Sequence, residues 1–485
     1  MNAWLRRSDE RRPWLPVALL VVVCLVSTAA RLAWISEPCR SPCRTAADHI
    51  LVFDETYYVN AARVIAGIPP PAGANYAGAP AGVDPNSEHP QLAKLVIAGS
   101  IELFGDGPVA WRLGSILFGS LAIIGIFQLA RAAGGSRWLA LGAAGLIASD
   151  NLELVHGRIG TLDVYALAAI IWAVALYLRG RVLAAGVLIG VGVAFKEVAA
   201  YAVAVLALVE AVRFLGQRTG AMRRAARVGA CAITAAAVFV GLLAIMERIA
   251  PPYDPETRSV VGGGPLGQIG HMLSYAAGQT SRNGPRGIAS YPWEWLVDYK
   301  PIVYLYINPA SPGDGLVGVH PAAHFLGLVS PPILLLLAPA LWVAARRVVR
   351  GRAGDVGRAG GVAAAEGADR AGATNPAGAE DGTGARDRAA AGDRAGAAGG
   401  PDEAVGAGGL GLAWFAGTFV PYELLSLVFA RTSYLYYMVI VMPGAYLLVA
   451  DLVGRHLQRR RLVGGWIACV VAATIVAYPF TPLPW

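Results

Sequence analysis

Two adjacent carboxylates, Asp54 and Glu55, follow the first long apolar segment of the chain, and His89 and Lys94 lie further along the same polar stretch. A carboxylate can take a proton from a hydroxyl, and cationic side chains can contact a sugar or a phosphate. The structural alternatives are a helix N-cap for Asp54, a helix-dipole contact for Glu55 and a snorkelling lysine. The chemical interpretation predicts acid–base catalysis with Asp54 as the base and Glu55 assisting it.

A second set of ionisable residues lies at the edges of apolar segments, where a charge is costly in lipid unless it is paired or hydrated. These residues are Asp150, Arg158, Asp163, Lys196 and Arg431. Arg158 is the strongest phosphate candidate, because a guanidinium presents a fixed fork of donors. Its five-residue separation from Asp163 is poor for a salt bridge along one helix, although Asp163 also suits a helix start.

The composition requires a membrane to hold these residues in place. Of 485 residues, 56% are hydrophobic and 15% are charged, whereas soluble proteins carry about 25% charged residues. We predict an all-α polytopic membrane protein with about eleven spans, since a hydrocarbon core of roughly 30 Å needs about 17–25 apolar residues; the fifth and sixth spans are shorter than this. The predicted spans are 14–35, 109–130, 138–154, 162–178, 182–196, 198–213, 228–246, 324–345, 410–429, 433–453 and 462–480.

Arginine placement predicts the orientation of these spans, because short positively charged loops stay in the cytoplasm. The clusters that fall on one side are Arg6/Arg7/Arg11/Arg12, Arg131/Arg137, Arg179/Arg181, Arg213/Arg218/Arg223/Arg224/Arg227, Arg346/Arg347/Arg350 and Arg455/Arg459/Arg460/Arg461. The N-terminus is then cytoplasmic and the C-terminus extracytoplasmic. The net charge of +8 follows from this topology without nucleic acid as a partner.

The chain divides into an N-terminal membrane block (1–346), a linker (351–409) and a C-terminal membrane block (410–485). The linker is an Ala/Gly/Arg/Asp mixture that lacks the apolar surface needed to fold, so we predict that it is disordered and cytoplasmic. Outer segments are predicted at 36–107 and 247–323. In the first, periodicity and Pro90 predict two interfacial helices, at 54–66 and 90–104.

Two outer-loop features leave alternatives open. Tyr291-Pro-Trp293-Glu-Trp295, followed by Tyr299, Tyr304 and Tyr306, forms either an aromatic belt at the interface or the wall of a sugar or acceptor site. Cys39 and Cys43 share an outer loop where a disulfide could form.

The order of Phe53-Asp54-Glu55-Thr-Tyr-Tyr, His89-Pro-Gln-Leu-Ala-Lys94, Arg158-Ile-Gly-Thr-Leu-Asp163 and Lys196 resembles the protein O-mannosyltransferases and the wider lipid-carrier-dependent glycosyltransferases of the GT-C fold. The similarity is clearest over residues 50–200. It departs from the family pattern at Gln91 and Ala93, where a proline and a glycine are usual.

This resemblance implies a GT-C-type bundle that transfers a sugar, most commonly mannose, from a polyprenyl-phosphate carrier to Ser or Thr of exported proteins. The transfer inverts the configuration at the anomeric carbon. Asp54 is then the base, and Arg158, Lys94, His89, Arg431 and Lys196 are candidates for binding donor phosphate or sugar, with Asp150 and Asp163 as further polar site residues. The implied partners are the lipid-linked donor, a secreted or membrane acceptor protein and membrane lipids. The implied location is the outer face of the plasma membrane.

Three alternatives remain: a lipid or cell-wall glycan as acceptor, a transporter, and a non-catalytic assembly subunit. A transporter predicts polar residues through the middles of the spans, whereas the candidates here cluster at one face, which favours an enzyme. No Cys-x-x-Cys pair occurs. We therefore predict neither a cofactor nor a metal, although Asp54 with Asp150 could bind a divalent cation.

Overall fold

A computed structural model describes residues 12–40, 42–217, 220–307, 316–317, 323–369 and 405–481. For 216–217, 316–317 and 351–369 it describes the backbone alone. Arg6, Arg7, Arg11 and Arg218 of the predicted inner clusters lie outside these residues, as does the centre of the predicted linker.

Apolar helices dominate the described chain, and every predicted span coincides at least in part with one of them. Seven helical segments are long and apolar enough to cross a membrane, and three shorter helices, 137–149, 163–178 and 182–195, are also apolar. The chain is therefore a multi-pass membrane protein, while the number of eleven crossings stays a prediction. The helices in these spans are α1 (Leu15–Leu32), α4 (Pro108–Ala132), α5 (Arg137–Ser149), α6 (Asn151–His156), α7 (Asp163–Leu178), α8 (Val182–Phe195), α9 (Tyr201–Gln217), α10 (Ala221–Ile249), α13 (Pro331–Asp369), α14 (Ala407–Phe429), α15 (Met438–Arg455) and α16 (Arg460–Val476).

Two predicted spans have different boundaries in the structure. The span predicted at 138–154 breaks at Asp150, whose carboxylate accepts from the backbone N–H of Leu152 and caps a new helix. The span predicted at 324–345 begins in strand β6 (Ala323–Gly327), and its helix starts only at Pro331. In both places a polar or proline residue sets the helix start more strongly than hydropathy does.

The first outer segment contains both expected interfacial helices, α2 (Glu55–Ile65) and α3 (Leu92–Phe104). Before them, Cys39 and Cys43 form a disulfide. Strand β1 (Cys39–Arg40) pairs with β5 (Leu316–Val317) from the second outer segment. The two outer segments are therefore joined on the same side of the bundle.

The second outer segment is built from short hairpins and helices. Strands β2 (Tyr253–Asp254) and β3 (Ser259–Val260) are antiparallel, as are β4 (Ile302–Ile307) and β6. Between the hairpins lie α11 (Gly264–Gly278) and the single turn α12 (Pro292–Trp295). These elements lie against α2, α6 and the outer end of α14.

Helix α13 continues through residues 351–369, the first part of the stretch predicted as a linker. The next described residues are those before α14, so 370–404 lie outside the description and the predicted disorder there stays a prediction. At the centre of the bundle, α7 is buried on nearly all sides by α4, α8 and α15. Its N-terminal residue, Asp163, is thereby held at a fixed place beneath the outer segments.

Candidate active site

Asp54 lies at the turn immediately before α2, and its carboxylate makes no capping hydrogen bond. The side chain is partly exposed, and none of the hydrogen bonds among described residues reaches its carboxylate. Desolvation by the surrounding protein raises the pKa of Asp54 to about 6, while the charges of Lys196 and His89 oppose that rise and Asp163 adds to it. A carboxylate in this state is suited to accept a proton near neutral pH.

Glu55, the second predicted catalytic carboxylate, is directed away from this site. It is fully buried and pairs with Arg112 through two contacts of 2.8 Å, from Nε to Oε1 and from Nη2 to Oε2. The backbone N–H groups of Val52 and Gly160 also donate to it, at 2.7 and 2.8 Å. With four donors on its two oxygens, Glu55 fixes the turn that presents Asp54.

Lys94 is likewise bound within the protein and is not available to a phosphate. Its ammonium group lies 2.6 Å from the carboxylate of Asp84, and both side chains are fully buried. It also donates to the carbonyls of Asn86 and His89. Lys94 therefore organises the 84–89 loop, which in turn places the His89 ring.

His89 lies beside Asp54 and bonds to a residue that the sequence did not single out as an individual ligand. Its Nδ1 is 3.1 Å from Oε2 of Glu197, whose side chain is 40% exposed, and its ring contacts Tyr58 edge-on. Glu197 follows Lys196 directly at the start of a 3₁₀ turn. The site therefore has an exposed acid on the side of His89.

Lys196 and Asp163 form a buried ion pair at 2.7 Å, from Nζ to Oδ1. The other oxygen of Asp163 lies 3.8 Å from Nδ1 of His156. The Lys196 ammonium also lies 5.5 Å from the centre of the Tyr436 ring. Asp163 and Lys196 are thus partners at the site, and the pairing of Asp163 with Arg158 does not occur.

Arg431 approaches the same region from the end of α14. It donates to the carbonyl of Ala276 in α11, and no carboxylate of a described residue forms an ion pair with it. The charge of Arg431 acts on the Tyr434 and Tyr437 hydroxyls. The charge of Asp54 also acts on Tyr434, and the charge of Lys196 also acts on Tyr437. Arg431 and Lys196 therefore both lie near the tyrosine-rich turn at residues 434–437.

Arg158 and Asp150 lie elsewhere, contrary to the sequence-based expectation. The Arg158 guanidinium donates to the carbonyls of Ala30 and Ala33 at the end of α1 and packs against three aromatic rings. Asp150 accepts from the backbone N–H groups of Leu152 and Ser330, at 2.9 and 3.3 Å. Arg158 thus closes the C-terminus of α1, and Asp150 caps the N-terminus of α6. Both residues therefore stabilise the fold.

One trio of possible metal ligands comes together within the described ranges: Cys39, Cys43 and His49. The two sulfurs are joined in a disulfide and so offer no thiolate. Both oxygens of Asp150 accept from backbone donors, and the expectation of no bound divalent cation stays a prediction.

The two interpretations of the aromatic segment in the second outer loop, an aromatic belt and the wall of a site, apply to different residues. Tyr291 and Trp293 stack on each other, with Trp293 half-exposed, whereas Trp295 is buried against α14. Tyr304 lies against Phe53, the residue before Asp54, with ring centres 4.0 Å apart. Trp295 also contacts Tyr437, with ring centres 6.1 Å apart, so both Tyr304 and Trp295 border the site.

Sequence reasoning missed three residues that build this site: Arg112, Asp84 and His156. Arg112 and Asp84 carried a usable signal, because a buried Glu55 and Lys94 each need an opposite charge. His156 carried none, since its hydrogen bond to Tyr304 joins positions that are far apart in the chain.

Comparison with known proteins agrees with the resemblance read from the motifs. Residues 88–244 match the family described as dolichyl-phosphate-mannose-protein mannosyltransferase. The polyprenol-phosphate-mannose–protein mannosyltransferase of Corynebacterium glutamicum is 34% identical over 132 residues, which is 25% of this chain and 24% of that protein. The aligned part of the chain thus spans about a quarter of this relative's length, and over these residues the predicted resemblance is confirmed.

Solved structures extend the likeness to the whole fold. The S. cerevisiae protein O-mannosyltransferase Pmt1–Pmt2 complex bound to the sugar donor is similar over 97% of this chain and 90% of the matched chain, with a TM-score of 0.61 and 12% identity. The Archaeoglobus fulgidus oligosaccharyltransferase is similar over 97% of this chain and 56% of its own, with a TM-score of 0.51 and 14% identity. The predicted GT-C-type membrane fold is thereby confirmed.

Proposed function

We propose that this protein is an inverting membrane glycosyltransferase that moves a sugar, mannose in the first instance, from a polyprenyl-phosphate carrier to Ser or Thr hydroxyls of exported proteins. The single observation that carries the proposal is the Asp54 carboxylate, which is partly exposed, has no hydrogen-bond partner among described residues and has a pKa of about 6. The family match over 88–244 and the C. glutamicum relative supply the donor class.

The reaction assigns one role to each group around Asp54. The acceptor oxygen attacks the anomeric carbon from the face opposite the phosphate, and Asp54 takes the hydroxyl proton. The bond between the anomeric carbon and the phosphate oxygen breaks, and the electron pair leaves with the phosphate. Because phosphate leaves as a stabilised anion, a second carboxylic acid is not required, in contrast to glycoside hydrolysis.

The leaving phosphate is assigned to Arg431 and Lys196. Arg431 has no carboxylate partner among described residues, and Lys196 shares its charge with Asp163 at 2.7 Å. A guanidinium and an ammonium that both lie near the tyrosine-rich turn at 434–437 provide the positive charge that a developing phosphate dianion needs. Arg158, which is bound to the end of α1, has no part in this step.

The proposed location is the extracytoplasmic face, with the N-terminus cytoplasmic. The site lies among the outer segments, while the arginine-rich connections lie at the opposite ends of the helices. The proposed reaction also needs no divalent cation, so a chelator should leave the transfer rate unchanged. If a chelator removed the activity and added Mg²⁺ or Mn²⁺ restored it, the proposal of a cation-independent reaction would be contradicted.

The deciding experiment uses the purified protein in lipid nanodiscs with radiolabelled polyprenyl-phosphate mannose and a Ser/Thr-rich peptide. The parent should transfer label, and Asp54→Asn should lose at least about 100-fold, the lower range for loss of a general base. Glu102→Gln, a change of an exposed acid in α3, is the matched control and should keep parental activity.

The other outcomes separate the alternatives. Transfer from a different lipid-linked sugar would correct the donor, and transfer to a glycan or lipid but not to the peptide would correct the acceptor. Equal transfer by Asp54→Asn and the parent would remove Asp54 as base. Loss of transfer with every donor and acceptor would favour the transporter or assembly-subunit alternatives.

A further inference from the structure

Phe53, the residue before Asp54, has a backbone conformation that side-chain-bearing residues rarely adopt. Its φ is +54°, and Asp54 follows with φ −69° and ψ −5°. These φ values match a type II′ turn, in which glycine normally occupies the first central position. A non-glycine residue there is strained and persists only where the surroundings impose it.

One restraint on this turn comes from within the first outer segment. Glu55, locked to Arg112, accepts from the Val52 N–H, and the Glu55 N–H donates to the Val52 carbonyl at 3.1 Å. These bonds fix the two ends of the turn. They do not contact the Phe53 ring, which projects from its centre.

The second restraint comes from the other outer segment. The Tyr304 ring stacks on the Phe53 ring with centres 4.0 Å apart and planes inclined by 14°. Tyr304 is buried, and its hydroxyl lies 2.9 Å from Nε2 of the buried His156. On the opposite strand, Gly327 leaves room for the ring, because a Cβ there would lie 2.6 Å from the Tyr304 hydroxyl.

The contacts close into a ring around Asp54. From Tyr304 they pass to His156, whose Nδ1 lies 3.8 Å from Asp163, and from Asp163 to Lys196 at 2.7 Å. Lys196 in turn acts on Asp54 by its charge. The backbone before Asp54 and the cation beside it are therefore held by one connected set of side chains.

We infer that Tyr304 and His156 are positioning residues for Asp54: the Tyr304 ring, held by His156, clamps Phe53 in its left-handed conformation and so aims the Asp54 carboxylate into the site. The inference rests on the proposed function, because it gives Asp54 its direction for that reaction. It also assigns the β4–β6 hairpin a part in catalysis that no motif indicated.

The test compares four variants in nanodiscs. Tyr304→Leu removes the stacked ring, Tyr304→Phe keeps the ring but removes the hydroxyl, and Gly327→Ala displaces the ring without changing Tyr304. Phe415→Leu is the matched control, because Phe415 is a similarly buried ring that stacks on Phe419 at 5.0 Å within α14.

Tyr304→Leu and Gly327→Ala should lower kcat by roughly tenfold to 100-fold, the scale expected when a reacting group is misplaced by about 1 Å. The KM values for donor and peptide should change little. Tyr304→Phe, which keeps the stacked ring but loses the hydrogen bond to His156, should lower kcat by less than Tyr304→Leu does, and Phe415→Leu should retain kcat even if it lowers thermal stability. Equal losses of kcat in Tyr304→Leu and Phe415→Leu would overturn the inference.

A readout that needs no turnover separates this inference from the proposed function. The Asp54 carboxyl is titrated by infrared difference spectroscopy and identified by its loss in Asp54→Asn. Its midpoint should lie near 6 in the parent and in Phe415→Leu, and should fall towards the ordinary aspartate value in Tyr304→Leu, where the loosened turn becomes hydrated. An unchanged midpoint in Tyr304→Leu would refute the clamp, even if no tested donor supports transfer.

Discussion

At the scale of single residues, the neighbours Asp54 and Glu55 have opposite fates because a helix start directs successive side chains differently. Glu55 enters the interior and meets Arg112, whereas Asp54 remains partly exposed beside Lys196 and His89. An ion pair and two backbone donors hold the Glu55 carboxylate in the interior, while no hydrogen bond among the described residues holds that of Asp54. One residue therefore holds the turn, and the other is free for chemistry.

The pKa of Asp54 predicts how activity depends on pH. A base must be deprotonated to act, so the rate of transfer should rise with pH and reach half its maximum near pH 6. Lys196 lowers the pKa of Asp54, and Lys196→Gln should therefore move this acidic limb to higher pH as well as reduce the maximum. A pH–rate profile of the two proteins measures both effects, and a limb that moved to lower pH would contradict the assigned neighbour.

Glu55→Gln should affect stability more than chemistry. The substitution leaves the buried Arg112 without its anion, and removal of one partner of a buried pair costs about 3–5 kcal/mol. Thermal unfolding in mixed micelles should show a large decrease in Tm, whereas Glu102→Gln at an exposed position should show little change. A stable but inactive Glu55→Gln protein would restore Glu55 as a catalytic residue.

At the scale of elements, α8 and α10 cross closely because two glycines on α8, one turn apart, face the second helix. A Cβ on Gly186 would lie 2.6 Å from the carbonyl oxygen of Cys231, and one on Gly190 would lie 2.6 Å from that of Ala235. Small residues four apart allow this kind of close backbone packing in membranes. The contact fixes the end of α8, from which Lys196 projects.

Gly190→Ala should therefore push the two helices apart and destabilise the protein by about 1–3 kcal/mol, as overpacking does. Gly241→Ala on α10 is the control, because a Cβ there would meet no atom within 4 Å; its higher helix propensity should leave stability equal or slightly increased. The Tm values of Gly190→Ala and Gly241→Ala measure this difference in stability. Equal behaviour of the pair would show that α8 and α10 do not touch at Gly190.

At the scale of the whole molecule, charged groups separate to the two ends of the helices. Glu210 lies 3.0 Å from both Arg213 and Arg224, and the Arg227 guanidinium covers the Tyr177 ring at 5.1 Å. These contacts gather the arginine-rich ends of α7, α9 and α10, while the candidate site lies at their opposite ends. The separation gives the chain one basic face and one face that carries the candidate site.

Residue labelling should reveal which face is outside. In a background lacking the free Cys24, Cys231 and Cys469, Glu256→Cys in the exposed β2–β3 hairpin should react with an impermeant maleimide in intact cells. Met222→Cys, at the exposed start of α10, should react only after permeabilisation. The reverse pattern would place the site in the cytoplasm and contradict the proposed use of an outward-facing donor.

The sequence by itself determined the membrane class, the helical spans and the two interfacial helices, because hydropathy, helix periodicity and positive-inside charge are local properties. It also determined that Asp54, His89, Lys196 and Asp163 belong near one face. Local pattern was insufficient at Asp150 and before Pro331, where a cap and a strand interrupt apolar runs that hydropathy treats as continuous.

Only the tertiary structure decided which charges are partnered. Lys94 and Arg158 have the residue type and position of phosphate ligands, yet Asp84 binds the first and the end of α1 binds the second. Whether an ionisable group is free depends on what the fold places within about 4 Å of it, and these partners are remote in sequence or lack any motif. For the same reason the Tyr304–His156 contact, which joins residues 148 positions apart, became visible only in three dimensions.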